Sequence, residues 1–95
     1  MPYIRISLME PQAGREAEVA ELNQELTMFL RQQEGCLQSY SMEAAAGSGE
    51  MGRISVWESE EMADRAANIE HTMALRSRLH LLVRPGHQDR SFLTK

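Results

Sequence analysis

The side chains that could do chemistry in this sequence are few. Trp57 offers an indole that can stack on a flat aromatic molecule and donate one hydrogen bond; the same ring can equally fill space where a strand meets a helix. His71 offers an imidazole that titrates near neutrality and can take a proton from a bound ligand; it can equally cap a helix or face solvent. Tyr40, Arg5, Ser7, Ser39 and Arg53 are polar or amphipathic groups in stretches that read as strands. Some of them must point onto a sheet face, into a ligand pocket or toward an interface or solvent. Asn68 stands at a break between helical stretches, where its amide can bond a ligand oxygen or cap a helix. The seven methionines can give a flat ligand soft walls or fill gaps in a core. His80, amid Arg78 and Arg84, reads as surface, and His87, after Pro85-Gly86, as loop.

Other chemistries find no matching residues. Cys36, His71, His80 and His87 have no metal-ligand spacing, so no metal site is expected. Gly47-Ser48-Gly49 lacks the lysine and helix of a phosphate loop, and there is no nucleophile elbow. Cys36 is the single cysteine, cannot form an intrachain disulfide, and reads as an unreactive strand thiol suited to a reducing cytoplasm. Ten Lys/Arg against fourteen Asp/Glu give a formal net charge of −4, which argues against nucleic acid as a partner. No apolar run reaches the roughly 18 to 20 residues of a membrane span, and Met1-Pro2-Tyr3-Ile4-Arg5 has no secretory h-region. These readings predict a small cytoplasmic protein, without membrane or nucleic-acid partners.

The elements that must position the candidate residues follow from periodicity. Ile4, Ile6 and Leu8 alternate with Tyr3, Arg5 and Ser7, a half-buried strand over residues 3–9. Val19, Leu22, Leu26, Phe29 and Leu30 form an amphipathic stripe that predicts a helix over about residues 12–33, ended by Gly35. Residues 36–43 alternate again, with Cys36, Gln38, Tyr40 and Met42 opposite Leu37, Ser39 and Ser41. A turn over 44–50 leads into a third strand over 52–58, which suggests a hairpin. Ser59 is placed to cap a short helix over 60–67, and a second helical piece carries Leu75, Leu79, Leu82 and Val83 until Pro85-Gly86. Residues 87–95 can form a last strand.

The chain of 95 residues therefore predicts one α+β domain, residues 1–95, of ferredoxin-like βαββαβ order: an antiparallel sheet with helices on one face. The other face must be solvated, hold a ligand or meet a partner. A chain of this length buries only about two-thirds of its unfolded surface, so a homodimer covering that face is expected.

Glu34-Gly35-Cys36-Leu37 followed by Tyr40, then Val56-Trp57-Glu58-Ser59-Glu60-Glu61 entering a helix, then Glu70-His71 opening another, resembles the antibiotic biosynthesis monooxygenase family. The resemblance implies a dimeric α/β barrel, two such sheets face to face, with a pocket in each subunit between sheet and helices. Some members of that family oxidise aromatic polyketides or quinols with molecular oxygen and no metal, flavin or haem. For this chain it implies a cofactor-independent monooxygenase acting on a small electron-rich aromatic, a quinol or anthrone, with His71, Trp57 and Tyr40 as catalytic candidates. Asn68, Arg5 and Ser7 would bind the substrate. The alternative is a non-catalytic dimeric binding or stress-related module of the same fold. Haem-degrading relatives need an Asn on the first strand, a Trp in the helix after Trp-x-Ser and an iron-binding His on the next. The first strand here has no Asn, and the matching helix positions fall near Ala66 and Arg76, so haem degradation is not expected.

Overall fold

The computed structural model describes residues 1–95 throughout. The chain runs β1 (Tyr3–Met9), α1 (Glu16–Arg31), β2 (Cys36–Glu43), β3 (Met51–Trp57), α2 (Glu60–Ala67), α3 (Glu70–Leu82) and β4 (Gln88–Leu93). The strands form one antiparallel sheet in the order β2-β3-β1-β4, with the ferredoxin-like order of elements that the alternating patterns predict.

Local chemistry sets the ends of these elements. The first helix begins at Glu16 rather than near residue 12, because the Gln12 N–H is held by the Leu82 carbonyl at 2.9 Å and Arg15 N bonds Gln12 O in a turn. Glu16 and Glu18 then occupy the first turn, where the helix dipole favours negative charge. Past its other end Gly35 takes φ +86°, a conformation that side chains with a Cβ resist. The Ser59 side chain caps α2 by accepting a hydrogen bond from Met62 N at 3.3 Å.

Register decides which side chains the helices cover. Tyr3 pairs with Trp57 and Leu93, Arg5 with Ser55 and Ser91, and Ser7 with Arg53 and Asp89. These rows extend onto β2 through Cys36, Ser39 and Ser41. They lie on the side where Trp57, Tyr3, Ser39, Ser55 and Arg53 are buried. The opposite side carries Ile4, Ile6, Leu8, Ile54, Val56, Tyr40, Met42 and Phe92, which no helix of this chain covers.

The strand reading of residues 36–43 needs one correction. Register slips between Cys36 and Gln38, so Cys36 shares a row with Trp57, whereas Gln38, Tyr40 and Met42 stay on the open face. The irregularity at Leu37 inserts one residue and breaks strict alternation.

The core is the seam between sheet and helices. Val19, Leu22, Leu26 and Leu30 of α1 meet Ala63 and Ala66 of α2, Leu75 and Leu79 of α3, and Tyr3, Met9 and Trp57 of the sheet. The small side chains of Ala63 and Ala66 let α2 approach closely. No helix is long and apolar enough to cross a membrane.

Candidate functional site

The sheet face under the helices is polar where a simple core would be apolar. Arg5, Ser7, Arg53, Ser55 and Asp89 stand side by side there, contributed by β1, β3 and β4. Helices roof this face with Leu26 and Leu30 of α1, Ala63 and Ala67 of α2, and Thr72 and Arg76 of α3. Between floor and roof lies a cavity of about 290 Å³, with Trp57 in its wall. A second cavity of about 580 Å³ opens between α3 and the sheet and is lined by Met73, Leu79, His80, Leu81, Val83 and His87. Ser7, Arg53, Arg76 and Asp89 line both, so the cavities meet at this cluster.

Two tethers hold the floor in place. Trp57 is 1% exposed, and its indole Nε1–H donates to Ser55 Oγ at 2.9 Å, which fixes the ring plane. The Asn23 amide of α1 donates from Nδ2 to Gly52 O at 2.8 Å and accepts at Oδ1 from Arg53 Nη1 at 3.2 Å. Arg53 is thereby drawn under the helices. Burial, and next the nearby positive charge of Arg76, push its guanidinium down to about 10, while Asp89 pulls the other way. It remains a cation at neutral pH.

Around Arg53 the other charges are already engaged. Asp89 accepts from Ser7 Oγ at 2.6 Å and lies 3.8 Å from Arg76 Nη2 and 3.7 Å from His87 Nε2. Arg5 is paired with Asp64 of α2 and donates to the Tyr3 hydroxyl at 3.4 Å. Burial lowers the pKa of Arg5, but these two partners outweigh it and raise the pKa overall. Thr72, 1% exposed on the cavity wall, has a hydroxyl with no hydrogen-bond partner.

Of the residues singled out from the sequence, Trp57, Arg5, Ser7 and Arg53 come together on this cavity. His71, Tyr40 and Asn68 do not line either one. His71 is exposed at the start of α3 and packs edge-on against Phe29, ring centroids 4.6 Å apart. Tyr40 is 51% exposed on the open sheet face beside Arg31, whose guanidinium carbon is 5.9 Å from its ring centroid. Asn68 follows α2 as its C-cap, its side-chain amide donating to Asp64 O at 2.8 Å. His80 and His87, read from the sequence as surface and loop, are exposed but face each other at 4.9 Å on the larger cavity.

Sequence reasoning did not bring Arg76, Thr72 and Asp89 into the site. For Asp89 a signal existed: in a strand over 87–95, residues 89 and 91 share a parity, although periodicity alone does not tell which face it is. Cys36 is a free thiol, and burial pushes it above its ordinary value, which suits an unreactive strand position. No cluster of His, Cys, Asp or Glu in the structure could hold a metal ion.

Solved structures share this arrangement almost end to end. Rv0793 from Mycobacterium tuberculosis superposes with a TM-score of 0.91 at 18% identity, covering 100% of this chain and 96% of that one. A conserved protein from Methanosarcina mazei gives 0.93 at 13% identity, covering 100% and 94%. SnoaB from Streptomyces nogalater, a cofactor-independent oxygenase solved as its N63A mutant, gives 0.86 at 15% identity, covering 99% and 93%. At these identities the likeness is one of fold. No curated protein is significantly similar in sequence. The sequence pattern of antibiotic biosynthesis monooxygenases, however, matches residues 2–77, from the first strand into α3, and so covers most of the chain. The chain belongs to the antibiotic biosynthesis monooxygenase family.

Proposed function

We propose that this chain is a cofactor-independent monooxygenase that oxidises a small electron-rich aromatic, a hydroquinone or anthrone, in the cavity between sheet and helices. The observation that carries the reading is Arg53: a buried cation that shares a cavity wall with an aromatic plane, Trp57. A phenol or anthrone becomes a reductant of oxygen only once ionised, and a nearby guanidinium in a water-poor site stabilises that anion.

For an anthrone the balance closes without a cofactor. Loss of a ring CH₂ proton leaves a carbanion, which passes electrons to O₂ and forms a C–O bond to give a peroxide. The O–O bond then breaks with loss of water. One oxygen atom ends in the new carbonyl and the other in water, and the four electrons from the carbon reduce O₂ completely. Arg53 would hold the anion, Trp57 would set the ring plane, and Arg5 and Ser7 would contact substrate oxygens. Asp89, which lines this cavity and lies 3.7 Å from His87 of the adjoining one, would take the proton, whereas His71 faces solvent.

The test is oxygen uptake by metal-free protein with a panel of anthrones and hydroquinones, in the presence of chelator. Uptake above the autoxidation blank is expected. Trp57→Phe should lower turnover about three- to tenfold, and Arg53→Met about a hundredfold. Ligand binding without uptake from any compound would support the non-catalytic binding module instead.

A further inference from the structure

Arg53 is a buried cation that the protein leaves without a contacting anion; Asp89 attracts it only from beyond ion-pair distance. It is 9% exposed, and of the five N–H donors of a guanidinium only one has a side-chain partner, the neutral amide oxygen of Asn23. No carboxylate lies within ion-pair distance of it. Asp64 is taken by Arg5, and Asp89 is held by Ser7 and flanked by Arg76 and His87. Arg90, although its residue borders the cavity, pairs with Ile6 and lies over the Phe92 ring on the open face. Three guanidiniums (Arg5, Arg53 and Arg76) thus meet one carboxylate on the lining of a protein with net charge −4.

Thr72 adds a second unclaimed group to the same wall. Its hydroxyl is buried without a hydrogen-bond partner and is the one such side-chain atom in the structure. A lone buried cation and an orphaned hydroxyl both cost stability unless something else satisfies them. A planar carboxylate matches the guanidinium fork and can accept from a hydroxyl as well.

We propose that the aromatic substrate carries a carboxylate, which seats on Arg53 and accepts from Thr72 while its ring lies against Trp57. This rests on the reading of the cavity as the substrate site and narrows its substrate class to hydroxylated aromatic acids. One such ring supplies both the reducing electrons and the anion that Arg53 lacks, and a hydroxyl ortho to the carboxylate keeps its ionised oxygen beside the same guanidinium.

Calorimetric titration of the full chain, without oxygen, compares 2,5-dihydroxybenzoate and 4-hydroxybenzoate with their primary amides and with inorganic phosphate. At least one acid should bind about ten- to a hundredfold more tightly than its amide. Arg53→Met should reduce that ratio to about twofold or less. Arg53→Lys should give an intermediate ratio, because a point charge lacks the fork. Thr72→Val should weaken acid binding several-fold at nearly unchanged volume. If Arg53→Met does not fold, the Lys and Val variants decide. Acids binding no better than their amides, or phosphate binding as tightly as the acids, would overturn the proposal. Oxygen uptake separates the two readings. Acid-selective binding without uptake keeps the carboxylate site and removes the oxygenase reading, whereas uptake with no preference for the acid does the reverse.

Discussion

Asn23 joins the site to the scaffold through one side chain. Its amide satisfies the Gly52 carbonyl and is the only side-chain partner of Arg53, so replacing it leaves two buried polar groups short of a bond. Asn23→Leu should cost about 2–4 kcal/mol in urea unfolding; a change below about 0.5 kcal/mol would mean water takes over both bonds. Arg53→Met should behave oppositely, leaving stability unchanged or raised, because it removes a buried charge with no counter-ion in contact. The sign follows from the guanidinium's depression to about 10. Below that pH Arg53 is charged in both folded and unfolded states, so the burial penalty is present in full and does not vary. The stability difference between wild type and variant should therefore be flat from about pH 6 to 9, and the wild-type penalty should ease only above about pH 10. At this scale Trp57, Arg5, Ser7 and Arg53 were legible as site candidates from type and parity. The importance of Thr72 was not, because an orphaned hydroxyl is defined by the partners it lacks in three dimensions.

Gly35 shows how an element boundary also positions the wall of the site. It carries φ +86°, and a Cβ added there would collide with Met62 Sδ and lie 2.8 Å from Met62 Cβ. Its carbonyl accepts from Glu58 N at 2.8 Å, next to Trp57. Gly35→Ala should destabilise the fold by about 1–3 kcal/mol from backbone strain, with more from the clash against α2. Thermal melting checks it, and an unchanged melting temperature would show that α2 can yield. The glycine stop, the Ser59 cap and the strand limits were readable because each has a local chemical cause. The start of α1 was not, since a long-range bond from Gln12 to Leu82 holds the preceding turn. His71 sits at the rim of α3: Thr72, Leu75 and Leu79 make the inward stripe, and position 71 lies about 100° around from 72 but about 40° from 75, where it meets Phe29 instead of the cavity. Periodicity could assign that stripe, but not which neighbour the adjacent residue would meet.

At the scale of the molecule, the two sheet faces reverse the usual polarity. Alternation in the strands separated Ile4, Ile6 and Leu8 from Tyr3, Arg5 and Ser7, yet could not tell which set the helices cover. The helices cover the polar set, so a site lies inside the protomer and the apolar set is left outside. Phe92 and Tyr40, 44% and 51% exposed, flank a centre of Ile4, Ile6, Ile54 and Val56 that is only partly shielded by its own chain. A contiguous apolar patch of this kind is uncommon on a monomer, and a second copy packing the same face against it satisfies both. Sedimentation equilibrium should give about twice the chain mass of 10.8 kDa. Ile54 pairs with Ile6 on one side and Tyr40 on the other, so a charge at that position would be buried in the interface without a partner. Ile54→Asp should therefore shift the dimer to monomer while leaving the far-ultraviolet circular dichroism of the fold intact. A wild-type mass of one chain, or an Ile54→Asp variant that stays dimeric, would place any association elsewhere on the surface.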